Sequence, residues 1–146
     1  MKTEDRVSTQ RPRFTFTRDW ARGQLLQLVA TASSLAALIT VLDPDRVAAV
    51  LGQFLVGVNG YSQFYAMYVG VRLAIAGLAL LAARRGDQHL LGDLVALFLL
   101  AQPAGRLVAA FAIGLPHGPL LIVTGIELLA GLALLALRPR ARRLTP

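Results

Sequence analysis

The sequence contains no cysteine and only two histidines among its 146 residues. Without cysteine, the chain has no disulfide, no thiolate metal site and no cysteine nucleophile. His89 and His117 lie in different breaks between apolar runs, so they form no shared metal site. A Gly-rich phosphate loop and a credibly spaced Ser-His-Asp order are missing as well. The sequence therefore predicts a protein that is not an enzyme and carries no metal or cofactor.

Acidic residues are also few, 8 against 15 lysines and arginines, which gives a formal charge of +7. In a soluble protein this charge would indicate nucleic acid as a partner. Here the basic residues lie before, between and after apolar runs, which is the distribution that orients membrane helices and contacts anionic lipid. We therefore predict the membrane lipid bilayer, and no nucleic acid, as the partner of these charges.

The sequence is rich in apolar residues: 55% are hydrophobic, and the mean hydropathy is +0.59. A helix needs about 20 residues to cross a hydrocarbon core of roughly 30 Å. Four runs reach this length, at about Gln24–Leu42, Ser62–Ala83, Leu90–Ile113 and Pro119–Leu137. They are rich in leucine and alanine and lack the alternation of membrane strands. The predicted fold is an all-α integral membrane protein, a four-transmembrane-helix bundle.

These runs divide the chain into a polar basic N-terminal tail (1–23), a transmembrane domain (24–137) and a basic C-terminal tail (138–146). By the positive-inside rule both tails are predicted to be cytoplasmic, and the expected location of the protein is the cell inner membrane. The two loops on the predicted outer face contain one basic residue, Arg46. The basic residues on the predicted cytoplasmic side are Lys2, Arg6, Arg11, Arg13, Arg18, Arg22, Arg84, Arg85, Arg138, Arg140, Arg142 and Arg143.

The segment Val47–Val58 is apolar too, and Asn59-Gly60 follows it as a strong turn signal. A fifth span here would leave the next helix short and without a loop before it. We predict instead a short interfacial helix between helices 1 and 2, lying on the outer face or dipping into the membrane. Its expected role is a lid or a packing element over the bundle.

Three charged residues, Arg72, Arg106 and Glu127, lie inside three different apolar runs. A charge in hydrocarbon costs several kcal/mol unless it finds a partner, so such residues usually face a protein interior or a cavity. At 1.5 Å per residue, Arg72 lies about 15 Å from the outer end of its helix, and Arg106 and Glu127 lie about 12 Å from theirs. The common depth predicts that Glu127 contacts at least one of the two arginines.

Other polar residues share helix faces with these charges, at spacings of three or four residues. On helix 2 the tyrosines Tyr61, Tyr65 and Tyr68 lead to Arg72. The predicted intramembrane layer, and the candidate binding site, consists of Tyr68, Arg72, Gln102, Arg106, Thr124 and Glu127. Helix 1 is predicted to face the same interior with the stripe Gln24, Gln27, Thr31 and Ser34.

Glycines in the runs predict close helix packing. These are Gly70, Gly77, Gly105, Gly125 and Gly131. The segments 70–82 and 125–136 also share a pattern of glycine, leucine and alanine, in which Arg72 and Glu127 hold corresponding places. A two-plus-two parallel repeat is one interpretation. Chance similarity between apolar helices is the other.

The polar layer has two readings. It is either a structural lock, or a site for a small lipophilic or anionic ligand, because two guanidinium groups face a single carboxylate. Arg106 is the predicted ligand arginine, left over when Arg72 pairs with Glu127. A homo-oligomer or a larger membrane complex is a further candidate partner. We predict a ligand-binding or subunit role, with a small transporter as the alternative and a membrane enzyme as the third choice.

The charged positions and their neighbours resemble a known family. The segments are Gly70-Val71-Arg72-Leu73-Ala74-Ile75-Ala76-Gly77, Gly105-Arg106-Leu107 leading to Gly114-Leu115-Pro116, and Glu127-Leu128. They resemble an uncharacterised bacterial four-transmembrane-helix family, domain of unknown function 4345, over about Gln24 to Arg138. The resemblance implies the fold and the importance of Arg72, Arg106 and Glu127. It implies no activity.

Overall fold

The structure is a computed structural model that describes residues 18–86 and 88–138, and these residues are helical apart from short connections. Four helices are long and apolar enough to cross a membrane, and we call them spans 1 to 4: Arg18–Leu42, Gly57–Arg84, His89–Ile113 and Pro119–Ala136. The predicted four-helix bundle is confirmed. Span 1 begins inside the region predicted as an N-terminal tail. The rest of that tail, and the predicted C-terminal tail after Arg138, lie outside the described residues.

The spans pack as two pairs. Span 1 packs mainly along span 2, and span 3 along span 4. Spans 2 and 3 join the two pairs, and the packing between spans 1 and 4 is the sparsest of the four contacts between neighbouring spans. The core where the pairs meet is built from alanines and a few larger apolar residues, among them Ile75, Val95 and Leu134. Many large apolar side chains face outwards, as lipid-facing residues of a membrane bundle do.

Only one of the five predicted glycine contacts is present. A Cβ at Gly131 would lie 2.6 Å from the Leu100 Cγ and 3.3 Å from the Ala96 carbonyl oxygen, so span 3 packs directly on the glycine backbone. A Cβ added at Gly77, Gly105 or Gly125 would have no atom of another helix within 4 Å. A Cβ at Gly70 would contact only the Tyr65 carbonyl oxygen of its own span, at 3.9 Å. The prediction of close packing is therefore confirmed at Gly131 and wrong elsewhere.

Gly131 and Gly77 hold corresponding places in the internal sequence pattern, which makes them a matched pair. We expect Gly131→Ala to lower the free energy of unfolding by about 1–3 kcal/mol, because span 3 must move away from the added methyl group. Gly77→Ala should leave stability unchanged or raise it by up to about 1 kcal/mol, since alanine is the better helix former. Unfolding by denaturing detergent measures both. Equal losses would contradict the packing described for Gly131.

The connection between spans 1 and 2 differs from the prediction. It contains a helix over Pro44–Val50, shorter than the predicted Val47–Val58. The chain then turns at Gly52 and enters span 2 at Gly57, with φ angles of 73° and 62° that glycine adopts without steric cost. The turn predicted at Asn59-Gly60 is wrong, because both residues are already inside the second span.

The polar stripe of span 1 also points elsewhere than predicted. Its four members are exposed, and the helix instead buries a face that includes Arg22, Leu26, Ala37 and Thr40. At about 100° per residue, the stripe lies roughly 135° around the helix from that buried face. The small and apolar side chains of the buried face fit closely against span 2. The prediction that this stripe faces the interior is therefore wrong, and it faces the lipid instead.

Candidate functional site

Glu127 is the centre of the charged layer. It is 4% exposed and each of its carboxylate oxygens accepts one guanidinium: Arg72 Nη2 lies 2.5 Å from Oε1, and Arg106 Nη1 lies 2.5 Å from Oε2. Spans 2, 3 and 4 are thus joined at one carboxylate. The predicted contact with Glu127 is confirmed for both arginines. The expectation that one arginine remains without this partner is wrong, because the carboxylate has an oxygen for each.

Arg106 is held twice by span 4. Besides Glu127, its Nη1 donates to the Thr124 hydroxyl over 3.0 Å, and Thr124 in turn donates to the Leu120 carbonyl oxygen over 2.7 Å. Thr124 therefore belongs to the layer, as predicted, and fixes the guanidinium of Arg106. A cavity of about 340 Å³ lined mostly by apolar residues of spans 3 and 4 lies beside it.

Arg72 is held less completely. Its Nη2 donates to Glu127, and within the described residues this is its only hydrogen bond. The side chain is 12% exposed, and that exposure faces cavities, because Arg72 lines two of them. Arg106, predicted to be the ligand arginine, is 17% exposed and also borders a cavity, but that cavity is lined mostly by apolar residues, whereas Arg72 shares its first cavity with several polar side chains.

The first of these cavities, the polar cavity, has a volume of about 560 Å³ and lies toward the end of the bundle where span 2 begins. Two residues of the predicted layer, Tyr68 and Gln102, line it together with Arg72. The complete lining is Gln53, Phe54, Leu55, Gly60, Gln63, Phe64, Met67, Tyr68, Arg72 and Gln102. Amides, a phenol and a guanidinium make this space suitable for a polar group inside an apolar bundle.

The second, the apolar groove, has a volume of about 360 Å³ and runs between spans 1 and 4 below the short helix. Its only charged lining residues are Arg72 and Glu127. The complete lining is Val29, Ala32, Ser33, Ala36, Ile39, Thr40, Val47, Leu51, Tyr68, Arg72, Leu99, Val123, Ile126, Glu127 and Ala130. The polar cavity and the apolar groove share Tyr68 and Arg72, so these two residues stand between a polar space and an apolar one.

Tyr68 lies in a π-helical turn, Ala66–Gly70, just before Arg72. Such turns often occur at functional sites, and they break the regular spacing on which the predicted tyrosine stripe rests. The Tyr68 hydroxyl accepts a hydrogen bond from Gln53 Nε2 over 2.9 Å, and its ring lies 4.5 Å from that of Phe64, centroid to centroid. Gln53 thereby fastens the connection between spans 1 and 2 at the polar cavity.

A second hydrogen bond holds the connection between spans 1 and 2 against span 2. The Tyr61 hydroxyl donates to Asp45 Oδ1 over 2.5 Å, which joins the short helix to the start of span 2. The predicted packing element is therefore present, although its helix is shorter, and the polar contacts of Asp45 and Gln53 add to the burial of Ala48. The connection between spans 1 and 2 lies next to the polar cavity, and Gln53, Phe54 and Leu55 of this connection form part of the cavity wall.

A second charged cluster, which was not predicted from the sequence, lies at the end of the bundle where span 1 begins and span 4 ends. Asp93 of span 3 accepts a hydrogen bond from Arg22 Nη2 over 2.6 Å and forms an ion pair with Arg138, whose Nε lies 3.0 Å from Asp93 Oδ2. Arg22 is 5% exposed, also donates to the His89 carbonyl oxygen, and packs on Gly92, where a Cβ would lie 2.7 Å from its Nη2. The available signal was Asp93 itself, a carboxylate inside the predicted third span.

These features define a multi-pass helical membrane protein with a charged layer inside its bundle. The chain belongs to the family described as a domain of unknown function, DUF4345, whose sequence profile matches residues 24–138. This match confirms the resemblance seen in the sequence, and it covers spans 2 to 4 and span 1 from Gln24 onwards. Neither the curated proteins nor the solved structures include a match to the chain.

Proposed function

We propose that this protein binds a small anionic ligand within the membrane, at Arg72, without catalysing a reaction. The observation that carries the proposal is the charge balance of the layer: two guanidinium groups share one buried carboxylate. A surplus positive charge in a low-dielectric interior is costly. A bound anion would neutralise it, and the Arg72 donors that face the polar cavity are placed to hold one.

A purely structural ion-pair network explains less of the geometry. One arginine and Glu127 would form a neutral pair, and the second arginine would then add only a desolvation cost. A cavity of about 560 Å³ beside Arg72 is also unnecessary for a structural lock, since close packing stabilises a bundle better than open space. Both the second arginine and the cavity are accounted for when an anion binds in the layer, because the anion neutralises the surplus charge and occupies the open space.

Ligand-dependent stability tests this proposal. A ligand that binds only the folded protein raises its stability, by about 2.7 kcal/mol at a concentration 100 times its dissociation constant. We expect butyrate to raise the melting temperature of the protein in zwitterionic nanodiscs. Arg72→Met should lose this response, whereas the control Arg84→Met, at the exposed end of span 2, should keep it. An unchanged melting temperature, or an equal response from Arg72→Met, would refute anion binding at Arg72.

Orientation in the membrane is a second part of the proposal: both chain termini lie on the cytoplasmic side of the inner membrane. Arg22, Arg84 and Arg138 lie toward the same end, as the positive-inside rule requires. Because the chain has no cysteine, single cysteines report this directly. We expect an impermeant thiol reagent to label His117→Cys in intact cells and Gln88→Cys only after permeabilisation. The reverse pattern would invert the orientation.

The exposed stripe of span 1 supports a second candidate role, as a subunit that pairs with another copy of this chain. Gln24, Gln27, Thr31 and Ser34 face the lipid at spacings of three, four and three, which match the seam of a coiled coil. Glutamine amides both donate and accept hydrogen bonds, so two copies of the stripe complement each other. Polar side chains across membrane helices stabilise association by about 1 kcal/mol each.

Cysteine cross-linking tests this pairing. We expect Ser34→Cys to form a disulfide-linked dimer under mild oxidation in proteoliposomes at low protein density. Ala101→Cys, exposed on span 3, is the matched control and should remain monomeric. Gln27→Leu introduced beside Ser34→Cys should reduce the cross-link severalfold. Equal cross-linking of the two single variants would mean random collision and would remove the support for a dimer.

A further inference from the structure

We infer that the ligand is a single-chain anionic amphiphile, with its head at Arg72 and its hydrocarbon chain in the apolar groove between spans 1 and 4. The inference rests on the proposed binding of an anion at Arg72 and adds the chemical class of the ligand and its route. The feature that carries it is the junction of two unlike spaces. The polar cavity and the apolar groove meet at Tyr68 and Arg72.

The head of such a molecule finds its partners around Arg72. One guanidinium nitrogen of Arg72 is committed to Glu127, and the planar fork offers its other donors to a carboxylate or a phosphate. Gln102 and the Tyr68 hydroxyl line the same space and add uncharged polar groups. Glu127 repels an anion only weakly, because both of its oxygens already accept a guanidinium.

The apolar groove has a largely apolar lining that suits the hydrocarbon chain of the ligand. The span 4 wall of the groove is formed by Val123, Ile126 and Ala130, next to Glu127, and the span 1 wall by Val29, Ala32, Ser33, Ala36, Ile39 and Thr40. The uncharged polar groups of these walls are the hydroxyls of Ser33 and Thr40, and the Thr40 hydroxyl donates to the Ala36 carbonyl oxygen of its own helix. Among the described residues, Arg72 and Glu127 are the only charged residues of this groove. One charged locus on an otherwise largely apolar lining suits a molecule with one charged head and a hydrocarbon chain.

The groove is reached from the lipid. Packing between spans 1 and 4 is the sparsest between neighbouring spans, and Ala32, Ala36 and Ile126 are exposed at the bundle surface. The outside of this surface is hydrocarbon, so a chain slides from the bilayer into the groove without crossing water. Because lipid is as apolar as the groove, the chain itself gains little on transfer. Preference over ordinary lipid must therefore come from the charged head at Arg72.

A photoreactive fatty acid tests the placement. The probe is dodecanoate with a terminal diazirine, added to the protein in zwitterionic nanodiscs, with its methyl ester as the uncharged counterpart. We expect adducts on the groove walls of spans 1 and 4, at least tenfold more from the acid than from the ester. Ala36→Phe, which fills the groove, should remove them, and the matched control Ala101→Phe on span 3 should not. Competition by dodecanoate or dodecyl phosphate identifies the head as carboxylate or phosphate.

The butyrate response separates failure of this inference from failure of the proposed function. Butyrate has no long chain, so it should raise the melting temperature of Ala36→Phe as it does for the unmodified protein, which also shows that the variant folds. Adducts on Phe54 or Gln63 of the polar cavity, or labelling unaffected by Ala36→Phe, would overturn the amphiphile while butyrate binding stood. Equal labelling of Arg72→Met, or by the ester, would mean ordinary lipid contact and would also overturn it. Loss of the butyrate response in every form of the protein would overturn both.

Discussion

Glu127→Gln is expected to lower the free energy of unfolding by about 3–5 kcal/mol, which is the cost of removing one partner from a buried ion pair. The variant leaves Arg72 and Arg106 facing each other with no negative charge between them, since Glu127 is the carboxylate that both contact. Glutamine has nearly the same shape, so the loss reports charge and not packing. Reversible unfolding in denaturing detergent measures it.

A double-mutant cycle identifies the cause. The loss in free energy of unfolding for Arg72→Gln combined with Glu127→Gln should be smaller than the sum of the two single losses, because either substitution alone already removes the ion pair between the two residues. The same should hold for Arg106→Gln. As a control, Asp93→Asn lies in the other charged cluster and should add to Glu127→Gln without coupling. Additive losses within the layer would mean that its three charges do not interact in the folded protein.

Arg72→Met is expected to have the opposite profile, with stability kept and anion binding lost. The remaining Arg106 and Glu127 form a neutral pair that Thr124 completes, so no buried charge is left without a partner. Removing one partner of a buried ion pair is destabilising because it leaves the other charge uncompensated, and here Glu127 keeps Arg106 as its partner. We therefore expect the free energy of unfolding without ligand to stay level or rise.

The measurement is the pair of melting temperatures with and without butyrate. For Arg72→Met the two values should coincide, and the unliganded value should equal or exceed that of the unmodified protein. Arg106→Met is the informative comparison, because Arg72 remains beside the polar cavity in that variant. It should keep part of the butyrate response. A collapse of the fold in Arg72→Met alone would make this guanidinium a structural element and would remove the basis for ligand binding.

The layer was predictable because charges are rare and costly inside apolar helices. Arg72, Arg106 and Glu127 stand out in their runs, and helical rise alone places them at one depth. The number of arginines on the carboxylate was not predictable in this way. It depends on the angle at which each side chain reaches Glu127, and on Thr124, which turns the Arg106 guanidinium toward one oxygen.

The faces of span 1 were not predictable from polarity. In a soluble helix an apolar face marks the core, but in a membrane both the core and the lipid are apolar, so the contrast disappears. Span 1 buries Leu26, Ala30 and Ala37 because they fit against span 2, while Gln27 faces outwards. The π-helical turn before Arg72 was equally hidden, since no residue type specifies one. It shifts the register of the tyrosines by an amount that regular spacing does not contain.

The cluster at Asp93 bears on how the protein is made. A membrane chain is synthesised from its N-terminus, so Arg22 emerges long before Asp93, and Arg138 emerges after every span is complete. Until span 3 arrives, Arg22 has to stay at the water interface, because burial without its carboxylate is unfavourable. Span 1 can therefore take its final depth in the membrane only when span 3 is present. Asp93 pairs with its second arginine, Arg138, only after span 4 has been synthesised. Assembly of this bundle is thus completed around Asp93, by ion pairs that join span 3 to span 1 and to the residue that follows span 4.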